Sequence, residues 1–475
     1  MGSFMTTAFL LVVFDGLRPD MIQSDTTPNL MRFAAMGTRF ARARSVFPSE
    51  TRVCSASVAT GCHPARHGLV ANRFAHPRVF QRSVDTGRKE ALLAFEQETG
   101  APVLQAPTLA QALHAAGQEL VVLSSGTTGQ TYILNPDADA LEHVTLSAHG
   151  VQACSRQGAR LLASLDPPPA APADRAVWVA DLFRTRFLPS PPACTVVWLC
   201  EPDTSGHHQG LGSPAQLDAL RAADAAFGRI LDDWQAGPQR DTLQIAVASD
   251  HGQATITGHR VVAEALAASP GFDGCQVLPG SSGGIAIPDA DGARVAAAAE
   301  WLMRQDWIGN LFAVDGLNLP EGVLPHSAVL LHHPRTAPLI YTLRTDPGPS
   351  PLGLPGTTLM DGGLPVGSGT HGGLSPAEMR ITLMLAGSRI RAGMSEWPAG
   401  LVDLAPSILA LLGIPGGASM DGRPLTEAFT DGLPPAHSPA AESWEALYGG
   451  YSQRLTRTRL GRHVTLDAAF RLPVA

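Results

Sequence analysis

The chain has 475 residues, too many for one simple core and enough for two or three structural units. Its 44% hydrophobic content fits a soluble globular enzyme, and its net charge of −8 excludes a general nucleic-acid-binding surface, which would be basic. Nearly all the positive charge is arginine, Lys89 being the single lysine, which reads as the codon bias of a GC-rich, bacterial genome.

The first element is Ala8 to Phe14, a continuous apolar run expected to form a parallel strand covered on both faces. It is too short to span a membrane, no basic region precedes it and no small-residue cleavage site follows it. No membrane span or signal peptide is therefore expected, and the protein is expected in the cytoplasm. Met5 offers an alternative start. Asp15-Gly16 ends the strand, and Pro28-Asn29 opens a helix, Leu30 to Met36, that Gly37 stops. Val53 to Thr60 is expected as a helix beginning beside Thr51, where its backbone N–H groups would face an anion.

Phe74 to Ala106 is polar and without clear period. Thr108 to Ala116 predicts a helix, Glu119 to Ser124 a strand, and Asp174 to Phe187 a helix after the Pro/Ala-rich link Pro167 to Ala173. Thr195 to Cys200 is an apolar strand leading to Asp203, Pro214 to Trp234 a long amphipathic helix, and Thr242 to Ala248 a strand leading to Asp250-His251-Gly252. The alternation of strand and helix predicts an α/β fold with a mostly parallel sheet flanked by helices, its site at the carboxyl ends of the strands.

After Gln253 the pattern changes. Short strands (Gly284 to Ile287, Ala328 to Leu331, Leu339 to Leu343) and one helix, Ala293 to Met303, predict an inserted α+β cap subdomain. The core resumes at Thr370-His371, with a strand Arg380 to Ala386 and a helix that Leu401 to Pro406 opens and that runs to Leu412. From about Pro434 the tail is Pro/Ala/Ser-rich, then amphipathic from Glu442. The expected organisation is a catalytic core over 5–252 and 370–433, a cap over 253–369 and a C-terminal extension over 434–475. No internal repeat is present.

The chemistry gathers around Thr51, which lies between Pro48-Ser49-Glu50 and the small residues Ser55 to Gly61. A threonine hydroxyl is a poor nucleophile at neutral pH unless a base or a metal activates it. Asp15, Asp203, His207, Asp250, His251 and His371 all lie in Gly-rich or polar turns, the three aspartates at or just after strand ends. Oxygen and imidazole donors of this kind point to two divalent metal ions, zinc first, with manganese or iron also compatible. Taken singly, Asp15-Gly16 reads as an ordinary turn. The conjunction carries the inference, and spacing alone does not divide the residues between two ions. The six cysteines, Cys54, Cys62, Cys154, Cys194, Cys200 and Cys275, have no metal-finger spacing and read as reduced thiols.

Several segments resemble, in order, the type I phosphodiesterase/nucleotide pyrophosphatase family of the alkaline phosphatase superfamily. They are Phe9 to Asp20, Thr27 to Leu30, Thr60 to Gly68, Glu201 to His207, Ser249 to Gly252, Thr370 to Gly372, Val402 to Pro406 and Leu411 to Pro415. The resemblance implies an alkaline-phosphatase-like fold. It implies that Asp203, His207 and His371 hold one zinc, that Asp15, Asp250 and His251 hold the other, and that Thr51 is bound to the second ion. It further implies that Thr51 is the nucleophile of a covalent phosphothreonine pathway, and that the Asn72 amide donates to a phosphoryl oxygen. The implied substrate is a small phosphorylated molecule, a nucleotide or another phosphodiester. Oligomeric state is not readable.

Two positions depart from or mimic other patterns. Where the family often has an asparagine three residues after the nucleophile, this chain has Cys54, expected to pack as a small hydrophobe. Cys62-His-Pro-Ala-Arg66 imitates a sulfatase pattern, but Cys62 follows the nucleophile slot rather than filling it. His67 is expected to be structural and bonded to backbone, and His63 to lie on the surface. Hydrolysis of a phosphodiester or pyrophosphate bond is the leading reading. Phosphonate hydrolysis or phosphomonoester chemistry on the same metals is the alternative, and a non-catalytic metal-binding homologue is a third.

Overall fold

Seven consecutive apolar residues have no polar face to offer water, and all of Ala8–Phe14 is buried on both sides. The structure is a computed structural model that describes residues 7–75 and 83–473; Met5, and residues 76–82 of the polar stretch after Phe74, lie outside the described residues. The central sheet contains β1 (Ala8–Phe14), β2 (Thr38–Arg44), β3 (Leu120–Ser124), β4 (Thr145–Ser147), β5 (Cys194–Leu199), β6 (Leu243–Ala248), β7 (Leu383–Ala386) and β8 (Gly393–Gly400). Their order is β8-β2-β7-β6-β1-β5-β3-β4. Only β7 opposes its neighbours; the other strands share one direction. The mostly parallel sheet flanked by helices is thus present.

Alternate residues of β1 face opposite layers. Phe9, Leu11 and Val13 join a core with Val53 and Val58 of the Thr51–Thr60 helix and Ile408 of the Leu404–Leu412 helix. Leu10, Val12 and Phe14 face Phe33 of the Pro28–Met36 helix and Phe227 of the Pro214–Ala236 helix. Phe14 and Phe227 meet edge to face, their ring centroids 5.9 Å apart.

Register then brings the aspartates together. Val13 pairs with both Trp198 and Ala248, so β5, β1 and β6 end side by side, with Asp15 and Asp250 each two residues past that level. Strand β2 runs the same way and delivers the chain to Ser45, whose hydroxyl donates to the Asp250 carbonyl at 2.6 Å. The Thr51 helix therefore starts over the same sheet edge.

Residues after Gln253 build two further sheets. A five-stranded one contains Gln276–Leu278, Ser282–Ala286, Leu339–Leu343, Ile308–Ala313 and Leu324–Pro325. A four-stranded one contains Thr345–Pro349, Pro355–Met360, Ala254–His259 and Gly369–Thr370. The tail forms a three-stranded antiparallel sheet, Ala440–Tyr448, Tyr451–Leu460 and His463–Arg471. Gln453, on its middle strand, donates to the carbonyls of Leu311 and Gly322 at 2.9 and 2.7 Å, and Ala469 N donates to Leu374 O at 3.0 Å.

Two local expectations are corrected. Ala328 to Leu331 is not a strand: His326–Val329 is a short 3-10 helix, closed by Leu330 at φ 57°. A four-residue apolar run does not distinguish the two. The stretch Phe74 to Ala106 is not irregular throughout, because Lys89–Thr99 is a helix that buries Leu92 and Phe95 and ends on left-handed Gly100. Among the described residues, no helix is long and apolar enough to cross a membrane.

Candidate metal centre

Each donor is delivered by an element end. Asp15 leaves β1 and Asp250-His251 leave β6. Asp203 and His207 were expected in one turn; instead they lie on one face of a short helix, Asp203–Gln209, four residues apart. His371 returns from a distance. Thr370 pairs antiparallel with Ala254, three residues past His251, so the two imidazoles stack with centroids 3.6 Å apart.

The donors fall into two groups, Asp203 with His207 and His371, and Asp15 with Asp250 and His251; within each, one donor atom per residue lies within 4.8 Å of the others. His207 Nε2 is 3.2 Å and His371 Nε2 3.6 Å from Asp203 Oδ1. His251 Nε2 is 3.2 Å from Asp250 Oδ2 and 3.4 Å from Asp15 Oδ1. The opposite ring nitrogens meet backbone carbonyls. Nδ1 of His207 is 2.7 Å from Gly369 O, that of His371 is 2.9 Å from Ser49 O, and that of His251 is 3.0 Å from Gly252 O. An imidazole donating from Nδ1 presents a bare Nε2 lone pair, the arrangement a metal ligand needs.

The carboxylates are prepared in the same way. Trp198 Nε1 donates to Asp15 Oδ2 at 2.9 Å, Gly16 N and His251 N donate to Asp250 Oδ1 at 3.0 Å each, and Gln253 Nε2 donates to Asp203 Oδ1 at 2.6 Å. Asp15 Oδ1 and Asp250 Oδ2 are buried with no hydrogen-bond partner among the described residues. Two orphaned carboxylate oxygens beside a bare imidazole nitrogen fit a divalent cation. Gly16 has φ +70°, and a Cβ there would lie 3.0 Å from Asp203 Cβ, so glycine lets the two carboxylate loops approach.

The electrostatics agree. Burial first, then the charges of Asp250 and Asp203, push the Asp15 carboxyl well above its ordinary range. Burial also raises Asp250, against the pull of His251. Burial would raise Asp203 too, but His207, His371 and His251 outweigh it and hold that carboxyl low. Burial, then His251, presses His371 well below the usual imidazole range. Crowded acids and a neutral imidazole are what a bound dication would resolve.

Thr51 opens its helix and is buried, its Oγ1 3.2 Å from His251 Nε2. Asn72 Oδ1 accepts from Arg52 N at 3.2 Å, and among the described residues its amide N–H groups make no hydrogen bond beside the helix start. Thr51, Asn72, Asp15, Asp203, His207 and His371 all line one cavity of about 480 Å³, while Asp250 and His251 sit buried behind them. Pro279 to Gly284, Ala337 and Ile340 line it from the later sheets.

Cys54 is fully buried in the core, its Sγ 3.3 Å from Ser45 Oγ, outside the cavity lining. All six cysteines are free. His67 is buried, accepting from Leu69 N at 3.2 Å, with Nε2 3.1 Å from Ser57 Oγ. His63 is not a surface residue. It is 7% exposed, with Nε2 3.2 Å from Val464 O, because the C-terminal sheet covers it. Trp198 and Gln253 were not foreseen as supports of the carboxylates: an indole in an apolar strand and a glutamine after a turn carry no sequence signal of that role.

A family model described as type I phosphodiesterase / nucleotide pyrophosphatase matches residues 9–306. Venom phosphodiesterase 2 of Crotalus adamanteus is 25% identical over 271 residues, covering 55% of this chain and 28% of that protein. Ectonucleotide pyrophosphatase/phosphodiesterase family member 3 of Mus musculus is 24% identical over 264 residues, covering 53% of this chain and 25% of that protein. The match thus spans only about a quarter of those relatives' length. Among solved structures, an inactive form of murine ectonucleotide pyrophosphatase / phosphodiesterase 5 in complex with AMP superposes with a TM-score of 0.59 at 17% identity, over 86% of this chain and 96% of that one.

Proposed function

The chain belongs to the type I phosphodiesterase/nucleotide pyrophosphatase family, and from that premise we propose that it is a metal-dependent hydrolase of phosphodiester or pyrophosphate bonds in a small phosphorylated substrate. The observation that carries this reading is the grouping of six donor side chains in two triads at one cavity, with Thr51 Oγ1 against His251 of one triad. The AMP bound by a structural relative supports a nucleotide-sized ligand. The donor chemistry favours zinc, with manganese or iron compatible.

Asp203, His207 and His371 would hold one ion, and Asp15, Asp250 and His251 the other, with Thr51 beside it. Divalent ions bound there supply Lewis-acid charge that lowers the pKa of a hydroxyl or a water and offsets phosphoryl charge. Thr51 gives up its proton to water as Oγ1 attacks phosphorus in line. The Oγ1–P bond forms, the bond to the leaving oxygen breaks, and the leaving group takes up a proton from water. Asn72 donates from Nδ2 to a non-bridging oxygen, and the start of the Thr51 helix adds its partial positive charge. Water then breaks the Oγ1–P bond and restores the hydroxyl. Residues 253–369 act as the cap that selects the substrate, and 434–473 brace that cap against the core.

The test is metal analysis of the purified protein with turnover of three probes: thymidine 5′-(p-nitrophenyl phosphate), p-nitrophenyl phosphate and phosphonoacetate. About two transition-metal ions per chain, preference for the diester and loss of activity in chelator are expected. Full activity in chelator by a metal-free protein would overturn the reading.

A further inference from the structure

The mechanism above leaves three cavity-lining arginines unused, of which Arg73 is paired with Asp85 and Arg52 and Arg175 are not paired among the described residues. Arg52 is the second residue of the Thr51 helix, and Arg175 lies in the first turn of the helix Pro172–Leu182. Among the described residues, the buried Nε of each has no hydrogen-bond partner and neither guanidinium makes an ion pair. Of the acids that act on Arg52, Asp15 and Asp203 belong to the donor triads and Glu50 accepts from Asn72 N. Asp85 accepts from Arg73 Nη2 at 3.1 Å and from Gly87 N at 3.0 Å, and Glu201 Oε2 accepts from Ser205 N and Oγ at 3.1 and 2.5 Å.

A guanidinium cannot shed its charge, and its planar fork matches a carboxylate or phosphate in two-point contact. A charged guanidinium without an ion pair is costly when it is partly buried, so two such residues lining one cavity mark a place for an oxyanion. The metal ligands do not supply it. Three aspartates fall short of neutralising two dications, and the arginines make the cavity more positive still.

We propose that Arg52 and Arg175 bind a second oxyanion of the substrate, beyond the phosphoryl group attacked by Thr51. This rests on the hydrolytic reading above and narrows its substrate class to phosphodiesters whose other arm carries a carboxylate or a phosphate-like group. Neutral arms bind less well, and cationic arms are repelled.

Four p-nitrophenyl phosphodiesters test this. They share the leaving group and differ only in the second arm: ethyl, choline, 2-carboxyethyl and 2-phosphonoethyl. With metal-loaded wild type, kcat/KM should be higher for an anionic arm than for ethyl by about tenfold or more, and lower for choline. Comparison of the two anionic arms identifies which oxyanion fits. Arg52→Met and Arg175→Met should each shrink the anionic-to-ethyl ratio severalfold, mainly through KM, and Arg52→Lys should restore part of it. Should Arg52→Met fail to fold, Arg52→Gln takes its place. A flat wild-type ratio, or a ratio unmoved in both methionine variants, would overturn the proposal. Calorimetric binding of inorganic pyrophosphate against inorganic phosphate gives a readout free of turnover. The arginine variants should weaken pyrophosphate more than phosphate, and equal weakening would again overturn the proposal. If no ester is hydrolysed yet pyrophosphate selectivity depends on the arginines, the hydrolytic reading fails and the oxyanion site stands.

Discussion

Trp198→Phe removes one contact to a metal ligand without touching a ligand. The indole N–H donates to Asp15 Oδ2 at 2.9 Å, and among the described residues the other Asp15 oxygen already lacks a hydrogen-bond partner. Phenylalanine fills most of the same buried site but leaves the carboxylate with neither oxygen supported. A hydrogen bond to a charged group contributes about 1.5–3 kcal/mol. Loss of such a support to a metal ligand typically weakens metal binding roughly 10- to 100-fold. The Asp15, Asp250 and His251 group should therefore lose affinity within that range, while the Asp203, His207 and His371 group changes much less. The small void left by the indole lowers thermal stability in metal-free and metal-loaded protein alike, so the difference between those two states isolates the metal effect. Competitive zinc titration against a chromogenic chelator reads the two affinities separately. Equal weakening of both, or no weakening of either, would refute the reasoning.

Other outcomes follow from the same geometry. Asn72→Ala should lower turnover by about 10²- to 10³-fold with both metals retained, and near wild-type turnover would remove Asn72 from the reaction. His371→Ala should weaken the Asp203 and His207 ion more than the other in the same titration, and equal loss would count against the division. Burial, against the Asn72 N–H that favours the ion, pushes the Glu50 carboxyl from its ordinary 4.5 up to about 7. A raised acid binds more protons when folded, so stability falls as pH rises from the unfolded value through the folded one. Metal-free wild type should lose up to about 3 kcal/mol relative to Glu50→Gln between these limits. Urea melts at pH 5 and pH 7.5 check this, and parallel pH dependence in the two proteins would contradict it.

The strands that carry the site were legible because burial on both faces leaves an unbroken apolar run, as in Ala8–Phe14, and because Asp15, Asp203 and Asp250 follow such runs. The division into two triads was not legible from spacing. It depends on Thr370 pairing with Ala254, a contact between residues more than a hundred apart that brings His371 to the site. Strand β2 alternates buried and exposed residues at its start, Arg39 and Ala41 being exposed, but Arg39, Arg42 and Arg44 break up its apolar residues in an apolarity scan. The C-terminal sheet had a local signal that composition obscured. Gly449-Gly450 between the paired Tyr448 and Tyr451 is a two-residue hairpin turn, inside a tail read only as amphipathic. Arg52 and Arg175 could not be singled out at all, because only the fold brings them to one cavity, where among the described residues neither makes an ion pair.

The central claim is that Thr51 attacks phosphorus and is itself phosphorylated. The stereochemical course of hydrolysis of a diester with a chiral thiophosphate, run in isotopically labelled water, tests it most directly. Two successive in-line displacements through Thr51 predict net retention of configuration at phosphorus. Direct attack by water, with Thr51 a bystander, gives inversion, and inversion would contradict the account.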